Sequence, residues 1–370
     1  MPRRRPSATA AMSSTLVLAA ILVAAVVYGA LRGDEPLLSL SGVAAPTPLG
    51  GPSAGGQPLQ IYFSDPDSPA AGSLRGGPDS PLEQAIQAAR FSVDVAIYDL
   101  NLWSLRDALL EAHRRGVSVR IVTESDNLDE EEMQALVEAG IPVLGDRREA
   151  LMHDKFAVID HRQVWTGSMN YTIRDAYHNN NNLIALDSTP LAQNYLAEFD
   201  EMFVEAQFGA SSPAATPYRV VNVDGREVET YFSPDDGTAG RLLELLRGAE
   251  ESIHFLAFSF TSDDLAEAMI DRSRVGVVVT GVFEESQEAS NQGSEYDRMR
   301  SAGLDVRLDG NPANMHHKVI IIDGKIVVTG SYNFSANAEE RNDENTLILH
   351  DPLLAAAYLE EFERVYAAAQ

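Results

Sequence analysis

One stretch of this chain occurs twice, and that repetition constrains the fold more than any other feature. The first copy runs Met152-His153-Asp154-Lys155, then Asp160 after four residues, then Gly167-Ser168-Met169-Asn170 after six more. The second runs Met315-His316-His317-Lys318, then Asp323, then Gly330-Ser331-Tyr332-Asn333 at the same intervals. His, Lys, Asp, Gly, Ser and Asn all recur at one offset, 316 − 153 = 163 residues. A single offset across a dozen and more positions is the mark of a duplicated domain.

The spacing has a physical reading. Alternate residues of a strand share a face, so His153 and Lys155 point one way, as do His316 and Lys318. The apolar runs after them, Phe156-Ala157-Val158-Ile159 and Val319-Ile320-Ile321-Ile322, read as strands buried on both faces. Each strand then carries a His and a Lys out of the core on rigid backbone. Gly-Ser-x-Asn closes a turn whose Ser and Asn side chains face a bound anion. His317, next to His316 and so on the opposite face, reads as a bystander.

The pattern H-x-K-x4-D-x6-G-S-x-N in two copies resembles the phospholipase D superfamily, and with both half-domains the resemblance covers roughly four-fifths of the chain. It implies two pseudo-symmetric half-domains of α/β class, each a mixed sheet flanked by helices, with one active site at their interface. It also implies a chemistry. One His attacks phosphorus to form a phosphohistidine, and the other protonates the leaving oxygen and then activates water. The nucleophile is assigned to His153. Catalytic residues would be His153, Lys155, Asp160, His316, Lys318 and Asp323. Ser168, Asn170, Ser331 and Asn333 would bind the substrate phosphate. Asp160 and Asp323 are read as groups that hold the site and balance its charge. No cofactor or metal is implied.

After the second motif, Asn342-Asp343-Glu344-Asn345 supplies the Glu that many superfamily members carry there. The first half reads His178-Asn179-Asn180-Asn181-Asn182, with Asn180 taken as the residue opposite Glu344. One His is then oriented by a carboxylate and the other by an amide, so the two are not electrostatically equivalent.

Around the motifs, apolar periodicity predicts strands at 60–64, 91–98, 117–122 and 141–144 and helices at 81–90, 102–114, 129–139 and 191–204 in the first half. The second half repeats the series: strands at 229–233, 252–260, 275–283 and 306–308, and helices at 239–248, 262–272, 294–302 and 353–367. The implied segments are 1–32 as a signal-anchor or signal peptide, 33–58 as a Pro/Gly/Ser-rich linker, 59–208 and 218–370 as the half-domains, and 209–217 as the link between them. The acidic run Glu130-Glu131-Glu132 reads as a first helical turn, where negative charge is favourable. Trp103 and Trp165 are assigned to packing, as are Tyr171, Tyr332 and Phe334, with base or lipid stacking as the alternative for those three.

Composition narrows the function. The 370 residues contain no Cys, which excludes disulfide and thiolate chemistry. The formal net charge of −27 repels polyanions at long range, although a locally basic cleft can offset that. Arg3-Arg4-Arg5 ahead of the apolar run Leu16–Leu31 favours a cytoplasmic N-terminus with the bulk of the chain outside, membrane-anchored or secreted. The expected activity is hydrolysis of a phospholipid headgroup phosphodiester. A metal-independent endonuclease of the same superfamily is the alternative, with a non-catalytic scaffold third. The expected partners are a phospholipid or nucleic-acid substrate and a membrane through the N-terminal segment. Because two half-domains supply one site, no obligate dimer is expected.

Overall fold

A computed structural model describes residues 58–370 apart from residue 291. The expected signal-anchor or signal peptide, and the expected linker up to residue 57, fall outside the described residues.

Each half folds around one mixed sheet. The first has seven strands: β1 (Leu59–Phe63), β2 (Ser92–Ile97), β3 (Ser118–Thr123), β4 (Val143–Gly145), β5 (Lys155–Ile159), β6 (Gln163–Gly167) and β7 (Asn182–Asp187), in the order β1-β7-β6-β5-β2-β3-β4. The second has eight: β8 (Val220–Val223), β9 (Arg226–Ser233), β10 (Ser252–Ala257), β11 (Val278–Phe283), β12 (Asp305–Leu308), β13 (Lys318–Ile322), β14 (Ile326–Gly330) and β15 (Glu344–His350). Read from the other edge, its order β8-β9-β15-β14-β13-β10-β11-β12 is the first sheet with one strand added. In both, three parallel strands (β2-β3-β4, β10-β11-β12) join an antiparallel group through the motif strand, β5 or β13. Helical crossovers join the parallel strands: Trp103–Arg114 links β2 to β3 and Asp263–Arg274 links β10 to β11, while Glu131–Glu138 and Tyr296–Ser301 precede β4 and β12.

Alternation on the motif strands sorts side chains between cores. Phe156 and Val158 of β5, with Val319 and Ile321 of β13, enter a core shared by both sheets. Ala157 and Ile159 face a separate outer core with Leu82, Leu105 and Leu136, and Ile320 and Ile322 face its counterpart with Leu242, Leu265 and Met299. The long helices Thr189–Phe203 and Pro352–Ala368 contribute Tyr195, Phe199, Tyr358 and Phe362 to the shared core. The helices therefore lie on both faces of each sheet, and both halves belong to one compact unit.

Four local readings are revised. The helix expected from Pro81 begins at Asp79, whose buried carboxylate accepts hydrogen bonds from the Ser104 and Tyr177 hydroxyls, each at 2.7 Å. Between β1 and that helix, where the periodicity predicts no element, a short helix spans Pro69–Ser73. Strand β8 was not anticipated, although Val223-Asp224-Gly225-Arg226 carries the Asp-Gly signature of a tight hairpin; Asp224 and Gly225 have φ of 52° and 84°. A helix at Glu285–Ser290 also went unread. Glu131 and Glu132 do occupy a first helical turn. Trp165 packs in the outer core, stacked on Tyr62 at 6.0 Å between ring centroids. The link between the halves begins with a short 3-10 turn at Gly209–Ser211. No helix among the described residues is long and apolar enough to cross a membrane.

Candidate active site at the junction of the halves

The motif histidines sit just ahead of their strands, and each is held by the opposite half. The His153 backbone N–H donates to Asp343 O at 3.0 Å, and the His316 N–H donates to Asn180 O at 2.9 Å. The rings repeat that exchange. His153 Nδ1 lies 2.7 Å from Glu344 Oε2, and His316 Nδ1 lies 3.0 Å from Asn181 Oδ1. The residue opposite Glu344 is thus Asn181, one place beyond the Asn180 expected; the offset gives the same answer, 344 − 163 = 181. Asn180 serves through its backbone, while its side chain accepts from Asn311 Nδ2 at 2.8 Å.

Lys155 and Lys318 are buried beside them. Each ammonium donates back to the carbonyl of its own His, Lys155 to His153 O at 2.7 Å and Lys318 to His316 O at 2.9 Å. An aromatic ring closes each pair. Tyr98 packs edge-on to His153 with Lys155 Nζ 5.2 Å from its centroid, and Phe258 packs edge-on to His316 with Lys318 Nζ 4.5 Å from its centroid.

The four groups share one field. Burial depresses both imidazoles below their ordinary range, and both lysines depress each of them further. His153 also acts on His316, so the two rings feel each other across the junction. Burial pushes the Lys155 ammonium down to about 8 and depresses Lys318 as well. The Glu344 carboxyl is pushed up to about 8 by burial, with Lys155 pulling it back. An anion seated between the lysines would oppose the depression of both histidines.

The motif glycines are required by close approach. A Cβ on Gly167 or Gly330 would lie 2.2 Å from the carbonyl oxygen of Asn182 or Asn345 respectively. Those same carbonyls accept from the Ser168 and Ser331 N–H groups at 3.1 and 3.0 Å. The serine hydroxyls are committed too. Ser168 donates to Asn181 Oδ1 at 2.9 Å, and Ser331 donates to Glu344 Oε2 at 2.7 Å. Both are fully buried, so they brace the groups that orient the histidines and do not present a hydroxyl to substrate as expected. Asn170 and Asn333 each have a buried amide oxygen with no hydrogen-bond partner, and the Asn170 N–H donates to Asp175 Oδ2 at 3.0 Å.

Asp160 and Asp323 are elsewhere. Each stands one residue past its motif strand, five residues from the Lys, in the hairpin turn with φ of 52°. At about 3.3 Å per residue that is the far end of the strand. The Asp160 carboxylate accepts the N–H groups of Arg90, Phe91 and Ser92, and Asp323 accepts those of Glu250, Glu251 and Ser252. They tie the hairpin to the loop entering β2 or β10 and do not balance charge at the histidines.

Asp175 was missed. It is buried in the helix Ile173–Tyr177, with Oδ1 3.6 Å from His316 Nδ1 and 2.9 Å from Asn181 Nδ2. His317 turns away from the cleft, Nε2 lying 2.9 Å from Glu361 Oε1 on the helix Pro352–Ala368. Among the described residues, one group, Glu227, Glu229 and His350, brings three ligand atoms within 4.8 Å of one another. Arg241 already clamps both Glu229 oxygens at 2.8 and 2.9 Å, which opposes a cation there.

Comparison with known proteins places the fold and the family. A family model described as "Cardiolipin synthase, PLD-like domain" matches residues 82–203 and 242–366. The chain is 29% identical over 194 residues to a mitochondrial cardiolipin hydrolase of Chlamydomonas reinhardtii, covering 46% of this chain and 86% of that protein. It is 32% identical over 164 residues to a phospholipase D of Rickettsia typhi, covering 44% and 80%. The solved phosphatidylserine synthase of Haemophilus influenzae shares the fold over 85% of this chain and 87% of its own, at a TM-score of 0.63 and 12% identity.

Proposed function

The chain belongs to the phospholipase D superfamily and is one of its phosphodiesterases, and from that premise we propose that it hydrolyses the headgroup phosphodiester of a phospholipid through a phosphohistidine. The observation that carries the mechanism is the crossed anchoring of the rings. Each Nδ1 is taken by a side chain of the opposite half, which leaves each Nε2 to meet substrate over one cleft.

The roles follow from the partners. A nucleophilic imidazole becomes cationic as it attacks, and that developing charge draws the Glu344 carboxyl, held up to about 8 at rest, toward the ionised form that an amide cannot adopt. His153, paired with Glu344, is therefore the nucleophile. Its Nε2 lone pair forms the N–P bond while the bond from phosphorus to the leaving oxygen breaks, and that oxygen takes the proton of His316 Nε2. Water then gives a proton to His316 as its oxygen attacks phosphorus. The N–P bond breaks, and His153 returns neutral. Lys155 and Lys318 stabilise the charge gathering on the equatorial oxygens.

Two observations support lipid over nucleic acid. The relatives above are named for lipid substrates, and a formal charge of −27 disfavours approach of a polyanion. In this reading the apolar run Leu16–Leu31 holds the domain at a membrane face outside the cytoplasm, and a single chain suffices because both halves are present. The test offers the full chain vesicles of phosphatidylcholine or cardiolipin, and separately plasmid DNA, each with and without EDTA. Headgroup or phosphatidate release with intact plasmid is expected. Nicking without lipid turnover would replace this reading with the endonuclease.

A further inference from the structure

The offset of 163 residues exposes an exchange around the two histidines. In the second half the carboxylate stands on the strand, at Glu344, and the helix position is Ala338. In the first half the strand position is Asn181 and the helix position is Asp175 (344 − 163 = 181; 338 − 163 = 175). The negative charge has moved from one member of the pair to the other. It has not left the site, for Asp175 Oδ1 remains 3.6 Å from His316 Nδ1.

The link through Asn181 is continuous. Asn181 Oδ1 meets His316 Nδ1 at 3.0 Å, and Asn181 Nδ2 donates to Asp175 Oδ1 at 2.9 Å. An amide polarised by a carboxylate on its donor side is a stronger acceptor on its oxygen side. We propose that Asp175 is the positioning carboxylate of His316, acting through Asn181 and across the 3.6 Å gap, and so does for the first half what Glu344 does for the second. This rests on the phosphodiesterase reading above and adds a residue that the motif does not contain. The other charged or titratable groups acting on His316 are Lys318, Lys155, His153 and His317, all of which favour its neutral form. Asp175 is the carboxylate that faces the His316 ring, at 3.6 Å, and its charge also favours the cationic form of His153.

Asp175 also has a plain structural task. Its Oδ2 accepts the Asn170 N–H at 3.0 Å, and it bonds the Asn179 side-chain amide as well. Loss of activity in D175A would therefore decide nothing. The informative variant is D175A/N181E, which gives the first half the second half's arrangement and leaves the Asn170 N–H without its acceptor.

Three readouts are taken on the full chain: kcat on a soluble short-chain phosphatidylcholine, whose alcohol leaving group needs the acid, the alkaline limb of kcat/KM against pH on the same substrate, and the His316 imidazole titration by NMR. D175A is expected to lower kcat about 10- to 100-fold and to move the His316 titration down by about one pH unit or more. The double variant is expected to bring kcat back to within about threefold of wild type and to return the titration and the alkaline limb with it, as an opposite charge near the ring requires. A double variant as impaired as D175A, with the titration still displaced, would reduce Asp175 to a loop brace and overturn the proposal. If D175A alone does not fold, the double variant against wild type decides the question. A wild-type chain that splits no phosphodiester would defeat the functional reading only, because the His316 titration needs no turnover.

Discussion

The two halves carry different charges at three pairs of equivalent positions along their junction. Arg148 and Asp343 form a buried ion pair across the junction; at the equivalent places, Asn311 and Asn180 form an amide pair at 2.8 Å (148 + 163 = 311; 343 − 163 = 180). Asp154 accepts from Asn345 Nδ2 at 2.7 Å, whereas its counterpart His317 lies 3.4 Å from Asn182 Oδ1. Glu344 answers to Asn181, as above. Backbone register tolerates no such freedom: Met152 bridges to Asp343, and Met315 to Asn180. Backbone register is common to the halves while charge differs between them, because register sets where the rings stand and charge sets how each behaves.

The largest expected effect separates the two rings. His153→Asn and His316→Asn should each lower hydrolysis of a lipid substrate by roughly 10³-fold or more, as loss of a nucleophile or general acid does. They should differ on a diester with a good leaving group, which needs no acid. There, H316N should still release a burst of alcohol and accumulate phosphoenzyme, whereas H153N should show neither. A burst in H153N and none in H316N would exchange the assigned roles.

The next effect is on stability. Asp343 is 1% exposed, so Arg148→Ala leaves a buried carboxylate without its cation, at about 3–5 kcal/mol. Asn311→Ala removes only neutral hydrogen bonds and should cost about 1–2 kcal/mol. Urea midpoints at pH 7 test the pair, and equal losses would mean that the ion pair has no more weight than the amides replacing it.

Much of this was legible in the sequence, for a reason that also marks the limit. The His and Lys of each motif are two residues apart on a strand, so local periodicity alone brings them to one face. Most helices and strands announced themselves the same way. What was misread depends on contacts between residues far apart in the chain. Asn181 and Asp175 become neighbours of His316 only when the halves close on each other. Ser168 and Ser331 look like anion ligands until the strand beyond them is in place, with the oxygens they bond. Asp160 and Asp323 were drawn into the site by membership of the motif. A local signal pointed the other way: Asp-His and Asp-Gly directly after a buried strand are turn pairs. Strand β8 was equally legible from its Asp-Gly and went unread.

That revision predicts a smaller effect. Asp160→Ala and Asp323→Ala should each lower stability by about 2 kcal/mol, since each carboxylate satisfies three backbone N–H groups. Values of kcat should stay within about twofold of wild type, because substitutions away from the reacting groups act on stability alone. The comparison between halves sharpens it, because Gly324 follows Asp323 where His161 follows Asp160, both at positive φ. His161→Gly should recover part of the loss in the first half by relieving the left-handed residue. A large fall in kcat with unchanged stability would return the two aspartates to the active site.

The smallest effect concerns the carboxylate of the second half. Burial holds the Glu344 carboxyl up to about 8, against an ordinary value of about 4.3 when unfolded. Between those values the folded chain binds more protons than the unfolded one, so this group's contribution to stability falls as pH rises. Glu344→Gln removes the titration. The histidines, depressed in the fold, take up protons on unfolding below about pH 6.5 and drop out above it. From pH 6.5 to 8, then, the Tm of the variant should rise relative to wild type. Lys155 reinforces the trend: without Glu344 its ammonium is depressed further, so the variant's folded state sheds that proton earlier than the unfolded chain does. The equivalent change in the first half, Asn181→Ala, removes no titrating group at that position and should leave the Tm difference flat over the same range. Parallel slopes for the two variants would mean that the halves share their electrostatics after all, and that the exchange between Glu344 and Asn181 is one of shape alone.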